Sequence, residues 1–510
     1  MLSKVTSFAL SGLEGVPVEV ETDVQSGLPG YELVGLPDAA VKESRERVRS
    51  ALKNSGKNFP TRKVTVNLAP ADLRKEGAYF DLAIAVGILT ATGQLDPSHT
   101  AGYVFLGELA LDGALRPVAG ILPLLISAKA GGYRKFVIPA GNAGEASYIE
   151  GIETYAASSL LQAVDHLSGF SPLAALPVSR YGAAVAARRE KFDLAFVKGQ
   201  AVAKRALEVA VSGNHNLLLV GPPGAGKTML ARCIPGIMPS MTFEEALEVT
   251  KIHSVAGILG EEGIVTSRPF RSPHHTATAV AICGGGSRAV KPGEISLAHD
   301  GVLFLDELPE YHRSALEALR QPLEDGVITV TRSSGAVTFP ANFMLCASMN
   351  PCPCGNYGSA DRPCTCSPAA IRKYRARVSG PLLDRIDIQV EVDSVKYEDL
   401  VSEREEESSA AVRERVERAR EVQRRRFSDR PGILTNADMG ERELRAFCAL
   451  SPECESILRL SFERLRLSAR ARARIIKVAR TVADLAGEEK ILPAHILEAV
   501  SYRTYDREQV

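Results

Sequence analysis

The sequence predicts a multidomain α/β protein centred on a parallel sheet with helical crossovers and ending in a helical region. Three observations carry that prediction. Apolar runs at Leu217–Val220, Val302–Leu305 and Phe343–Met349 have the length of buried strands, and each leads straight into residues suited to polar chemistry. Strand-like and helical segments alternate from Asp193 to about Val392, the pattern of strands joined by crossovers. Beyond Asp393 the chain becomes charge-rich from Ser402 to Phe427, and Ile475, Ile476, Val478, Ala479, Val482 and Leu485 recur at helical spacing.

Ahead of this sheet the pattern is mixed. Lys63 to Leu68 alternates like a half-buried strand, while Asp38 to Lys53 opens on an N-cap residue and carries apolar positions at helical spacing. From Ser168 to Lys191, Gly169, Pro172, Pro177 and an alanine-rich stretch ending in Arg188-Arg189 read as a linker. The expected divisions are residues 1–168, a linker at 169–191, a sheet domain at 192–392 and a helical domain at 393–510. No internal repeat is evident.

With 510 residues, a formal net charge of +0, 45% hydrophobic and 24% charged residues, the composition is that of a globular protein. No apolar stretch is long enough to span a bilayer, because Leu122 to Ala128 is short and Ala78 to Thr92 carries Asp81. The N-terminus has no export signal, so a cytoplasmic location is expected. Nine cysteines, four of them between Cys352 and Cys366, do not form a disulfide framework in a chain this long. Electrical neutrality leaves any nucleic-acid binding to local patches.

The segment Gly221-Pro222-Pro223-Gly224-Ala225-Gly226-Lys227-Thr228 fits the phosphate-loop pattern G-x-x-x-x-G-K-[ST] directly after a strand. Its glycines let backbone N–H groups turn toward phosphates, Lys227 can reach the β- and γ-phosphates, and the Thr228 hydroxyl can ligate Mg²⁺. The second apolar run ends in Asp306 and Glu307, one carboxylate for the Mg²⁺ shell and one to orient or deprotonate water. The third ends in Asn350, whose amide can bond the attacking water or the γ-phosphate. Downstream, Arg385 in Gly380-Pro381-Leu382-Leu383-Asp384-Arg385-Ile386-Asp387 can neutralise transition-state charge in a neighbouring subunit, or pair locally with Asp384 or Asp387. ATP and Mg²⁺ are the expected cofactors.

These residues, with Gly293-Glu294-Ile295-Ser296-Leu297-Ala298-His299 and Ser379 to Asp387, resemble the magnesium-chelatase-like AAA+ ATPases, and more narrowly the ComM/YifB subgroup. The likeness covers nearly the whole chain, including Val197-Lys198-Gly199-Gln200 and Val478 to Leu485. It implies a Lon-protease-like first domain, an AAA+ module of the helix-2-insert clade, a helical lid, and a hexameric ring with nucleotide at each interface. It also implies that Arg385 acts in trans and that an arginine opening a lid helix is a second sensor. Spacing back from Lys477 and Arg480 favours Arg470 over Arg472 or Arg474.

About seventy residues separate the phosphate loop from the acidic strand, so this interval holds inserted structure. Within it, Arg268, Phe270 and Arg271 precede the glycines at 284–286 and Arg288, a mix suited to tracking nucleic-acid phosphates; an ordinary structured insert is the other reading. A hairpin is expected from Val327 to Phe339, with Arg332 at its tip as a further DNA contact or a solvated turn residue. Cys352, Cys354, Cys364 and Cys366 could bind a structural Zn²⁺ or form a reduced, metal-free loop. In the Lon-like segment Lys75 to Leu82 no serine is present, and Leu122 stands where the resemblance expects the dyad lysine, so no peptidase activity is expected. Arg45, Arg47, Arg49 and Lys53 could bind phosphate there, but a solvated helix face suits them better. The function expected is a ring motor on single-stranded or branched DNA, a branch-migration helicase of natural transformation or recombination, working with recombination proteins. A metal-insertion ATPase and a protein-remodelling or protease-like factor are the alternatives.

Overall fold

The computed structural model describes residues 2–186, 191–286, 290–332, 335–358, 362–395, 397–401, 406–465 and 469–503. Two large sheets organise it. The first has seven strands in the spatial order Gly30–Val34, Lys63–Ala69, Glu14–Gln25, Leu2–Ser11, Tyr103–Phe105, Lys135–Pro139, Glu153–Ala157. Leu2–Ser11 and Glu14–Gln25 form an antiparallel hairpin, and from Leu2–Ser11 outward through Glu153–Ala157 the pairing is parallel. The strand foreseen at Lys63 alternates in burial as a half-buried strand must. Helix Asp81–Ala91 is buried along its whole length against this sheet, which explains why its sequence is apolar on every side.

The helix expected from Asp38 is two helices, Ala39–Lys42 and Ser44–Asn54, with the Asp38 carboxylate capping Val41 N–H at 2.8 Å. Its arginines are engaged at the surface of the unit. Arg47 reaches inward to Asp81 at 2.6 and 3.0 Å, while Arg45 and Arg49 lie over the rings of Tyr31 and Phe59.

The second sheet is fully parallel. We label its strands in chain order β1 (Leu217–Val220), β2 (Phe270–Arg271), β3 (Val302–Leu305), β4 (Met344–Met349) and β5 (Ile388–Glu391); their spatial order is β2-β3-β4-β1-β5. β1, β3 and β4 are buried throughout, which is why they read as continuous apolar runs rather than alternating ones. One face packs on helices Ala201–Gly213 and Lys227–Ile237 and on C-terminal helices including Ser409–Arg426 and Ala469–Ala486. The other covers Ile295, Leu308, Leu316, Phe339 and Leu382. No helix among the described residues is long and apolar enough to cross a membrane.

The two units meet at helix Phe243–Ala256. Gly120 N–H donates to Ser254 O at 2.9 Å, and the Ser254 hydroxyl donates to the buried Glu145 carboxylate at 2.6 Å. Asn142 and the backbone N–H of Leu122 complete the shell of Glu145, whose carboxyl is raised above its usual range by burial. At Gly144 and Gly263 the backbones touch: a Cβ on Gly263 would lie 2.1 Å from the Gly144 carbonyl carbon.

Candidate active site

Because β1, β3 and β4 are parallel, their C-terminal ends share one edge, and that edge gathers the residues marked by sequence. The phosphate loop leaves β1 with Gly221 so close to Val392 that a Cβ there would sit 2.1 Å from its carbonyl oxygen. Gly224 and Gly226 take φ values of +79° and +88°, a left-handed backbone that any side chain would strain. Helix Lys227–Ile237 then begins with its N-terminus at the loop, where unpaired N–H groups favour an anion. The Lys227 ammonium donates to Gly221 O at 2.7 Å, Pro222 O at 2.9 Å and Asn350 Oδ1 at 3.1 Å. Burial lowers its pKa by disfavouring the charged form, with the nearby carboxylates of Asp306 and then Glu307 opposing that shift.

Thr228 Oγ1 donates to Asp306 Oδ2 at 2.8 Å, and the Ser348 hydroxyl donates to the other carboxylate oxygen. A hydroxyl and a carboxylate in contact are the hard oxygen donors that Mg²⁺ prefers, so these residues fit that ion. Glu307 comes next at φ +55°, an uncommon backbone for a non-glycine residue and one that strained functional sites use. Its carboxylate lies 3.3 Å from His275 Nδ1, and His275 packs at a tilt against His274 with ring centroids 4.1 Å apart.

Arg385 stands elsewhere. It precedes β5, and its carbonyl accepts from the Asn216 side chain at 2.8 Å at the N-terminal end of β1. Four strand residues at about 3.3 Å each separate that end from the phosphate loop by about 13 Å, beyond the reach of one side chain. Its guanidinium pairs with Glu324 and donates to Pro381 O at 2.8 Å, rather than pairing with Asp384 or Asp387, and its buried Nε has no hydrogen-bond partner among the described residues. Arg470 lies at the same end, 3.9 Å from Asp384 and 69% exposed. Arg472 is tied to Glu455 at 2.6 Å, and Arg474 faces Asp387 at 3.5 Å with 16% exposure.

The sequence matches known proteins along nearly its whole length. Models described as "Magnesium chelatase, subunit ChlI", "Subunit ChlI of Mg-chelatase" and "Magnesium chelatase, subunit ChlI C-terminal" match residues 193–400, 20–142 and 406–503. The competence protein ComM of Haemophilus influenzae is 45% identical over 99% of this chain and 98% of its own length. The YifB protein of Escherichia coli K12 is 44% identical over 99% and 98%. This chain belongs to the ComM/YifB group of magnesium-chelatase-like proteins. A magnesium-chelatase 67 kDa subunit of Chlorobaculum parvum is 29% identical, over 30% of this chain and 23% of its own. Membership of this AAA+ family suggests ATP hydrolysis with Mg²⁺ and an oligomeric assembly.

Two of the arginines expected to contact DNA in this ComM/YifB-group protein have carboxylate partners. Arg268 is 10% exposed and spends its guanidinium on Pro239 O, Asp300 O and Glu245 at 2.6, 2.8 and 3.0 Å. Arg271 forms a bidentate pair with Glu294 at 2.6 and 2.9 Å. Both arginines brace the insert from within, because their neighbours supply carboxylates that sequence spacing did not reveal. Arg288 lies outside the described residues. The hairpin forms as Val327–Arg332 against Gly335–Pro340, with Arg332 opposite Gly335 next to the turn.

Sequence reasoning missed Ser348 and His275. Ser348 sits two residues before Asn350 on β4, which lies between β1 and β3, so a polar residue inside an apolar strand was the available signal. His275 had none beyond its place in the insert. His299 was also passed over. It lies 3.5 Å from Glu248 and 3.6 Å from Asp300, and its Nδ1 accepts from Asn342 N–H, while its buried Nε2 has no hydrogen-bond partner among the described residues.

The four cysteines do converge, with all Sγ atoms within 4.8 Å of one another. Backbone N–H groups of Asn356 and then Thr365 hold the Cys354 thiol down to about 5.

Proposed function

We propose that this protein is an ATP-driven DNA motor working as a hexameric ring, a branch-migration helicase serving natural transformation or homologous recombination. The observation that carries the reading is the near full-length likeness to a competence protein. On this reading residues 1–168 form a Lon-like scaffold without peptidase chemistry, 192–392 the motor and 393–510 its lid, with 169–191 as linker.

Each residue then has a chemical role. The backbone of Gly221–Thr228 and the Lys227 ammonium bind the triphosphate, with Lys227 exchanging loop carbonyls for phosphate oxygens. Thr228 and Asp306 hold Mg²⁺, which when bound neutralises charge on the β- and γ-phosphates. Glu307 accepts the proton of the attacking water once released from His275, and Asn350 orients that water or the γ-phosphate. Arg385 and Arg470, both beyond reach of their own phosphate loop, serve the neighbouring subunit's nucleotide. Arg332 and Arg288 are the first candidates for DNA contacts, ahead of Arg268 and Arg271, whose guanidiniums already have carboxylate partners.

The test is steady-state ATPase activity with and without single-stranded and branched DNA at two salt concentrations. Stimulation that weakens as salt rises supports the motor. Intact hydrolysis without any DNA effect overturns it in favour of metal insertion or protein remodelling.

A further inference from the structure

The loop after Asn350 carries chemistry outside the hydrolytic roles. Cys352 is fully buried, and its Sγ lies 3.4 Å from Cys354 Sγ and 3.7 Å from Cys364 Sγ, with 3.6 Å between Cys354 and Cys364. Four thiolates about 2.3 Å from a tetrahedral Zn²⁺ stand about 3.8 Å apart, so the cluster is already at metal-binding size. All four are free of disulfides, and Tyr357 N–H and Cys366 N–H donate to Cys352 and Cys364 sulfurs at 3.3 and 3.4 Å. Such N–H···S bonds stabilise thiolate and fix its direction, as outer-shell contacts do around bound metals. The short C-x-C spacing is accommodated because each pair lies outside any strand, in a looping stretch of chain.

A second observation joins this cluster to the nucleotide site. Gly355, one residue past Cys354, has φ +83°, and a Cβ there would lie 2.5 Å from Cδ of Pro223 in the phosphate loop. Cys352 is two residues from Asn350, whose amide holds Lys227. From the other side Arg375 donates to Pro351 O at 3.3 Å and lies over Tyr357 at 5.2 Å.

We propose that Cys352, Cys354, Cys364 and Cys366 bind one Zn²⁺, and that the resulting knuckle is the rigid roof setting the positions of the phosphate loop and Asn350. The loop is rich in glycine and proline and contributes little to any core, so a metal is what gives it a fixed shape. The bracing half rests on the reading of Gly221–Thr228 as the nucleotide cradle; the zinc half does not.

The experiment starts with full-length protein purified from zinc-supplemented cells without chelator. Metal analysis should find one zinc per chain, a mercurial should release it as thiols are titrated, and Cys364→Ser with Cys366→Ser should lose it. Release should weaken a fluorescent ADP analogue by roughly tenfold. Gly355→Ala should retain zinc yet weaken the analogue, since the added methyl pushes on Pro223. Zinc well below one per chain, with all four thiols reacting freely in the native protein, overturns the site. Full zinc with nucleotide affinity unmoved both by its release and by Gly355→Ala overturns the bracing. Wild-type, zinc-loaded protein that binds no nucleotide at all would instead refute the cradle.

Discussion

Arg385 offers the sharpest test of how the site is completed. About 13 Å of strand separates it from its own phosphate loop, so on the proposed reading it acts only across a subunit boundary. Arg385→Ala should leave nucleotide binding largely intact and lower turnover by roughly 10³-fold or more, the usual worth of an arginine finger. Lys227→Ala should be inactive for a different reason, loss of the phosphate contact. When the two variants are mixed as monomers in equal amounts, a boundary is competent if the Arg385→Ala chain supplies the loop and the Lys227→Ala chain supplies the arginine. Random assembly makes about one boundary in four competent, so about a quarter of wild-type turnover should return if boundaries fire independently. The assay is phosphate release across a titration of mixing ratios, which should peak near equal amounts. A flat baseline at every ratio, with assembly verified, would refute the argument that Arg385 works in trans.

The same geometry sets four other outcomes. Glu307→Gln should bind nucleotide normally while turnover falls roughly 10²- to 10⁴-fold, and unchanged turnover would remove Glu307 as the base. His275→Ala should free Glu307 and raise basal turnover about fivefold, the equivalent of one modest hydrogen bond; a fall would mean His275 assists instead. Asp484 has a fully buried side chain between Arg426 at 2.8 Å and Arg480 at 3.1 Å, so Asp484→Ala should cost about 3–5 kcal/mol in urea denaturation. Burial pushes the Asp81 carboxyl up to about 6, with Arg47 offsetting only part of the shift. A raised folded-state pKa means the stabilising term is complete at low pH and is lost as pH rises to about 6, so wild-type stability relative to Asp81→Asn should decline across that window.

The proposed nucleotide edge was legible because its chemistry is local in sequence. A buried parallel strand must be apolar, and the residues just past its C-terminal end line the ligand crevice, so Gly221–Thr228, Asp306, Glu307 and Asn350 announce themselves. The strand order was not legible. Nothing in the residues says that β4 lies between β1 and β3, and this order is what brings Ser348 to Asp306. The pairing within the insert was hidden for a related reason: Arg268 and Arg271 look like free cations in sequence, whereas Glu245 and Glu294, each 23 positions from its arginine, lie beside them in space. The cysteine cluster was readable from spacing, but its abutment on Pro223 was not.

The joint between the two sheets has a practical meaning for anyone cutting this chain. Leu247 packs into the core of the first unit, Ser254 satisfies Glu145, and Gly263 presses backbone to backbone on Gly144. A fragment beginning at residue 191 would bare that apolar and hydroxyl-bearing flank of helix Phe243–Ala256, and a fragment ending at 168 would deprive the Glu145 carboxylate of one of its three donors. Kinetics measured on a fragment holding only the second sheet would therefore describe a molecule whose helix beyond the phosphate loop has lost the weight it carries in the intact chain.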